Sequence, residues 1–285
     1  MIDQIFIPTV CRVHNQKTLA GLSVELRRKT TLVVQDWEKD QYPYKDVNYL
    51  ILPKDINYHT GFRPMSKTRQ FIYKHAKDMR YAMIDDDLVF ERRNAKYRGL
   101  PSNMEKSRTP LSFFEMNDLF DMFDSWLDEE RVAVCGCSLV NIPPKKQEVT
   151  YNSSVCGAYF IDGPKIKDLV ETTDFTVVHS AEDALFILTL LSNGRGTKVS
   201  EEYAIDVSHN APSVFWKTAN IETTTKDHLK LAEIFPEYVK ILYDPESDIR
   251  EGGYKGIGRL RFSWTKAYTD WEAKNNTAKV NEFLE

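Results

Sequence analysis

The chain has 285 residues, 42% hydrophobic and 12% aromatic, which excludes a disordered polypeptide and suits one large α/β domain or a domain with a substantial appendage. A net charge of −4 excludes binding of nucleic acid by bulk electrostatic attraction alone. The longest apolar runs, such as Ala184 to Leu191, fall well short of the roughly 20 residues of a membrane span.

The N-terminal MIDQIFIPTV lacks the basic and apolar regions of a secretory signal. Cysteines at 11, 135, 137 and 156 show neither zinc-type pairing nor a disulfide framework, and a reducing, cytoplasmic setting is expected. Cys135 and Cys137 fall on one face of a strand.

Ile5 to Val10 reads as a first strand, Lys17 to Arg28 as a helix, Thr31 to Asp36 as a second strand and Val47 to Pro53 as a third. Ser66 is placed to cap a helix from Lys67 to about Asp78. This alternation predicts a largely parallel sheet with helices on its faces and ligands at the carboxyl ends of its strands.

A fourth strand runs into YAMIDDDLVF, Tyr81 to Phe90, where an apolar run is interrupted by Asp85, Asp86 and Asp87 and then resumes. Apolar residues on both sides draw the carboxylates to the exposed end of a buried strand, where charge needs a cation or directed hydrogen bonds. Mg²⁺ and Mn²⁺ take one or two carboxylates and leave other positions to water and substrate phosphates. In extended backbone Asp85 and Asp87 share one side and Asp86 faces the other. An acidic turn after a strand would read the same way locally.

Glu91 to Arg108 carries six basic residues against two acidic ones, with Gly99 and Pro101, and reads as a mobile basic loop, either solvated or touching an anionic substrate. Ser112 and Glu115 then form a capping box. Behind it an apolar stripe, Met116, Leu119, Phe120, Phe123, Trp126 and Leu127, opposes a solvated acidic row at Asp118, Asp121, Asp124 and Asp128. Arg131 to Val140 and Ser153 to Asp162 are further strands, paired around the loop with Pro143, Pro144 and Lys145. Gly157 suits either a close backbone approach to ligand or a bulge.

In HSAEDALFILTLLSNG, Ser180 reads as N-cap, Asp183 stands at the capping-box position and Gly194 stops the helix. Glu182 and Asp183 suit the helix macrodipole; beside the aspartate trio they are also candidates for a general base or a group orienting an acceptor hydroxyl. A last strand ends near Asp206, followed by His209 and Asn210. His209 is either structural or a ligand completing the coordination begun by Asp87.

In this order the parts resemble nucleotide-sugar glycosyltransferases of the GT-A fold, over about Ile5 to Asn210. The resemblance implies an α/β fold with a Rossmann-like, mostly parallel central sheet, a mixed acceptor-side half and a helical C-terminal appendage. It divides the chain into residues 1–212, with a nucleotide-sugar half at 1–90 and an acceptor half at 110–212, and an extension at 213–285. Asp85-x-Asp87 resembles the family's metal-binding DxD, with Asp85 and Asp86 toward the donor and Asp85, Asp87 and His209 on Mn²⁺ or Mg²⁺. Thr9 and Arg12, in the loop after the first strand, would hold part of a UDP-sugar or another nucleotide diphosphate sugar, and Asp36 its base. Gly61, Arg63 and Lys67 to Arg69 match the segment approaching the donor, with Arg63 or Arg69 beside the phosphates. Glu182 and Asp183 fall where inverting members keep the catalytic base; a retaining, front-face mechanism would use the same carboxylate only to orient groups.

The C-terminal EGGYKGIGRLRFSWTK alternates Lys255, Arg259, Arg261 and Lys266 with Tyr254, Phe262 and Trp264, a mixture suited to phosphate contact and base stacking or to ordinary packing. With the basic loop it resembles phage-type glycosyltransferases that modify hydroxymethylated pyrimidines in DNA, which would place the protein in the host cytoplasm with a flipped base as acceptor. A protein or glycan acceptor, or a catalytically inactive glycosyltransferase-like binding module, is the alternative. Phe215, Trp216, Trp264 and Trp271 are aromatics of the kind more often found in a core than in a site.

Overall fold

Residues 1–59, 64–94, 108–143, 145, 147–179, 181–207, 221–242 and 259–282 are described by a computed structural model, with backbone alone at 221, 222, 259 and 277–282. The strands are β1 (Gln4–Pro8), β2 (Thr30–Val34), β3 (Asn48–Ile51), β4 (Arg80–Ile84), β5 (Leu88–Arg93) and β6 (Arg108–Pro110). They continue as β7 (Val132–Leu139), β8 (Val149–Tyr151), β9 (Ala158–Asp162), β10 (Gly196–Val207), β11 (Val239–Leu242) and β12 (Arg259–Phe262). The helices are α1 (Lys17–Gly21), α2 (Val24–Arg28), α3 (Pro64–His75), α4 (Phe113–Leu127), α5 (Gly163–Thr172), α6 (Glu182–Ser192), α7 (Ile221–Ile234) and α8 (Trp264–Glu282).

The main sheet has the order β3-β2-β1-β4-β9-β7-β10-β5-β6, with β8 also paired to β10. The first four strands are mutually parallel, and β9 then enters antiparallel beside β4. Apolar side chains alternate across the sheet: Ile5 and Ile7 enter one core, Phe6 the other. On the first face lie α1, α2 and α4, through Leu19, Leu26, Met116 and Phe123. Against the second lie α3, α5 and α6, through Ile72, Ile166 and Leu188. Cys135 and Cys137 share the first core, as their spacing predicts.

The α/β architecture with helices on both faces agrees with expectation, and so does the mixed second half. Strand β1 lies between β2 and β4, so the chain leaves it in opposite directions, and the crevice beyond Pro8 and Ile84 is a topological switch point. The opposite end of the sheet is tied shut. There the Met1 amino group meets Asp124 at 2.9 Å, Arg80 pairs with Asp128 at 2.7 Å, and Lys165 Nζ donates to the Leu127 carbonyl at 2.6 Å. Asp124 and Asp128 are therefore fastenings, while the acidic row was expected to be merely solvated.

Other local expectations need correction. The helix predicted over Lys17 to Arg28 is two short helices, because Leu22 is extended and the Ser23 hydroxyl caps the second by accepting from Leu26 N at 3.3 Å. Ser66 does not cap the next helix: it is buried within α3, which begins on Pro64, a residue whose fixed φ suits a first turn. The segment read as a loop from Glu91 starts inside β5, and its far end forms β6, antiparallel to β5 with Glu91 opposite Pro110. Strands β7 and β9 do pair, yet β8 intervenes in the chain and joins β10. The capping box of α4 forms as predicted, with Ser112 and Glu115 satisfying each other's backbone N–H groups.

The C-terminal part adds α7, the β11–β12 hairpin and α8, a strand pair that the expected helical extension did not include. Leu231, Tyr238, Ala267 and Tyr268 complete the second core. Helix α6 is accordingly buried all round from Ala184 to Leu191, with Thr189 the polar side chain among them. No described helix is long and apolar enough to cross a membrane.

Candidate active site

The loop after β1 and the turn after β4 meet at the switch point through Asp86. Its carboxylate, 8% exposed as a residue, accepts from the Thr9 hydroxyl at 2.6 Å and from Arg12 Nη1 at 2.6 Å. The same Arg12 nitrogen pairs with Asp87 at 2.9 Å. Gln16 Nε2 donates to Thr9 Oγ1 at 2.7 Å, and Cys11, in a left-handed conformation with φ of 56°, donates its N–H to Glu38 at 2.8 Å. Thr18 at the start of α1 fastens the turn itself, donating to the Asp85 carbonyl at 2.5 Å and accepting from Leu88 N at 2.9 Å.

Asp85 faces elsewhere, which corrects the expectation that Asp85 and Asp87 share a side: residues 85–87 leave the strand and turn, so Asp86 and Asp87 meet on Arg12 while Asp85 meets Arg69. Arg69 on α3 reaches it with Nη2, 3.1 Å from one carboxylate oxygen and 3.3 Å from the other. Nη1 of the same arginine donates to Tyr159 Oη at 2.8 Å and lies 3.3 Å from Glu182. Gly157, with φ of 71°, offers its carbonyl to Asp85 N at 2.8 Å. A Cβ there would come 3.1 Å from Ile205 Cδ1, the far end of a flexible side chain, so it is chiefly the left-handed conformation that calls for glycine.

Glu182 and Asp183 open α6, with Ala181 as N-cap in the left-handed region at φ of 63°. The helix starts one residue later than a Ser180 cap requires, Ser180 itself lying outside the described residues, and Asp183 accepts from Ala184 N at 2.8 Å.

The charges are crowded. Burial pushes the Asp86 carboxyl up to about 7 against the pull of Arg12 and Thr9. Burial likewise raises Asp85, opposed by Arg69 and reinforced by the like charges of Asp87 and Asp183. Its side chain keeps 29% of its surface open, which leaves a path for a ligand although the surrounding protein still disfavours the charge. Glu182 is raised by burial too, with Arg69 opposing and Asp183 adding repulsion. Burial acts to lower Arg12 and Arg69, but the facing acids outweigh it and hold both firmly protonated.

Asp85, Asp86, Asp87 and Glu182 thus pair with Arg12 and Arg69, and Asp183 adds its charge beside Asp85 and Glu182. Among the described residues no set of three or more His, Cys, Asp or Glu groups forms a ready-made metal cage. Mg²⁺ and Mn²⁺ do not need one, since one or two carboxylates with water and phosphate oxygens suffice. Two hard-oxygen donors two residues apart, in a site with surplus negative charge, fit such an ion.

Of the other sequence candidates, Asp36 is exposed beyond β2, whereas Glu38, unsuspected from sequence, is fully buried after β2, beneath the loop that follows β1. Arg63 and His209, with Gly61, Ser180 and most of the basic segment, lie outside the described residues. Strand β10 is followed as far as Val207, which stands opposite Leu88, next to Asp87. Gln16, Thr18, Glu38 and Tyr159 were missed, and nothing in their sequence context marks them.

Among solved structures, the fold is similar to a mannose-1-phosphate geranyltransferase from Thermus thermophilus, at 10% identity and a TM-score of 0.38 over 72% of this chain and 76% of that one. It is also similar to UTP-bound UGPase from Acinetobacter baumannii, at 10% identity and a TM-score of 0.37 over 83% and 95%. Both likenesses are loose. No curated protein matches the sequence. Residues 4–214, which span β1, the aspartate turn, α6 and all of β10, match the model of one family, described as TET-associated glycosyltransferase. The chain therefore belongs to the TET-associated glycosyltransferase family and is a glycosyltransferase by descent.

Proposed function

We propose that the protein is a GT-A type, metal-dependent glycosyltransferase that moves a sugar from a nucleotide diphosphate sugar to the hydroxyl of a 5-hydroxymethylated pyrimidine in DNA. The observation that carries this reading is the meeting of Asp85 with Glu182 across Arg69 at the switch point, where the like charges of Asp87 and Asp183 also bear on Asp85. The family's TET association supports a modified DNA base as acceptor.

Asp85 and Asp87 would hold Mn²⁺ or Mg²⁺, with His209, which lies outside the described residues, as a third ligand. When bound, the ion would supply positive charge to a departing diphosphate. Thr9, Arg12 and Asp86 would line the donor side, with Asp36 toward the base and Arg63 or Arg69 toward the phosphates. Asp183 would take the proton of the acceptor hydroxyl as its oxygen bonds to the anomeric carbon and the bond from that carbon to the diphosphate oxygen breaks. Attack from the opposite side inverts the anomeric centre. Glu182, held by Arg69, would fix the orientation of this carboxylate pair.

Purified protein is incubated with individual nucleotide diphosphate sugars, Mn²⁺ and an oligonucleotide bearing hydroxymethylated cytosine or uracil, and the DNA is read by mass spectrometry. A hexose or pentose mass increment that disappears with EDTA and in Asp87→Ala is expected. Donor hydrolysis without DNA modification would instead assign a protein or glycan acceptor. No donor turnover under any of these conditions would leave a binding module.

A further inference from the structure

Helix α6, which presents Glu182 and Asp183, is held at both ends by the part of the chain that follows the family match at residue 214. At its start, His179 lies three residues ahead of Glu182, and its backbone N–H donates to Asp227 Oδ2 on α7 at 2.8 Å. Asp227 is 2% exposed, a carboxylate withdrawn from water into the packing beneath this turn. Between them Ala181 occupies the left-handed region at φ of 63°, a conformation that a residue with a Cβ keeps only where its surroundings enforce it.

At the far end Gly194, with φ of 73°, lies directly under Trp271 of α8: a Cβ there would fall 2.3 Å from the indole. Between the two ends Leu231 of α7 and Ala267 of α8 are fully buried in the same core as Leu185, Leu188 and Leu191. The placement of Asp183 relative to Asp85 therefore depends on residues well outside the matched region.

We infer that Asp227 is a positioning residue for the reaction: by accepting the His179 N–H it fixes the turn that aims Asp183 and Glu182 into the site. This rests on the reading of Asp183 as the acceptor's base. Misplacing a reacting group by about 1 Å costs on the order of 10²-fold in rate, whereas donor binding at the β1 and β4 ends is left intact.

The test uses the full chain and four variants, Asp227→Ala, Asp227→Asn, Asp227→Glu and Asp183→Asn, with kcat, donor KM and thermal melting measured for each. Asp227→Ala is expected to lower kcat about 10- to 100-fold with donor KM within about twofold. Asp227→Asn, which keeps a side-chain oxygen for the His179 N–H, should recover to within about threefold of the parent. Parental kcat in Asp227→Ala, with only a lower melting temperature, overturns the inference, as does an Asn variant as impaired as Ala. If the Ala variant fails to fold, the other pair decides: Asn near the parent with Glu slowed supports it, and Glu at parental kcat overturns it. Asp183→Asn separates the two levels. Loss of transfer there with full kcat in Asp227→Ala rejects the positioning role alone, while retained transfer in Asp183→Asn rejects the base assignment and this inference together.

Discussion

Asp85 and Glu182 share one guanidinium: Arg69 lies 3.1 Å from the first carboxylate and 3.3 Å from the second, joining the aspartate turn after β4 to the start of α6. The arginine side chain is 7% exposed and also donates to Tyr159. Removing it leaves two acids in a poorly solvated place without their counter-charge. Arg69→Ala should destabilise the protein by about 3–5 kcal/mol in urea unfolding, and adding Glu182→Gln should recover part of that loss. Arg69→Lys should recover less than charge alone suggests, because a point cation cannot span Asp85, Glu182 and Tyr159 together.

Asp87 pairs with Arg12 at 2.9 Å and is the more open partner of that pair, so its loss should spare the fold and remove the metal response. Parent protein should melt higher with rising Mn²⁺, by the equivalent of about 2.7 kcal/mol when the ion is at a hundred times its Kd. Asp87→Ala should show no Mn²⁺-dependent rise. A rise equal to the parent's would exclude Asp87 as a ligand.

Gly157 combines a left-handed backbone with a ceiling formed by Ile205. Gly157→Ala should cost about 1–2 kcal/mol from the conformation alone. Because the Gly157 carbonyl receives the Asp85 N–H, the same change should also slow transfer, and kinetics alongside denaturation will separate the two effects.

Glu38 carries a pH dependence of definite sign. Burial raises its carboxyl above the ordinary range of about 4.3, opposed by the N–H groups of Cys11 and Gln35. The folded state therefore binds this proton more tightly than the unfolded chain does. Its contribution to stability is fully present below the ordinary carboxylate pKa and is lost as pH rises through the higher folded value. Relative to Glu38→Gln, the parent should lose melting temperature from about pH 4 toward neutrality; a parallel pair of curves would contradict the assignment.

Much of the site was readable because its signals are local. Three consecutive acids inside an apolar run announce a strand end, and Ser112 with Glu115 announces a helix start, whatever the tertiary context. Glu38 was not readable, since DWEKD has the composition of any surface turn and only the folding of the β1 loop over it removes it from water. The choice of Arg69 over neighbouring basic residues depends on which face of α3 meets Tyr159, a matter of helix rotation. The antiparallel entry of β9 beside β4 was equally hidden, because a strand buried on both faces has the same pattern in either direction. The left-handed cap at Ala181 has no local sequence signal, so Ser180 reads as the natural boundary.

The seat of Trp271 on Gly194 bears on how the protein is best produced. A fragment trimmed to the matched region would strip α7 and α8 from a helix buried on every side from Ala184 to Leu191, turning some of those apolar residues toward solvent. Such a fragment should precipitate or be recovered only with detergent or a fusion partner, and its silence in an assay would report lost solubility, with no bearing on chemistry.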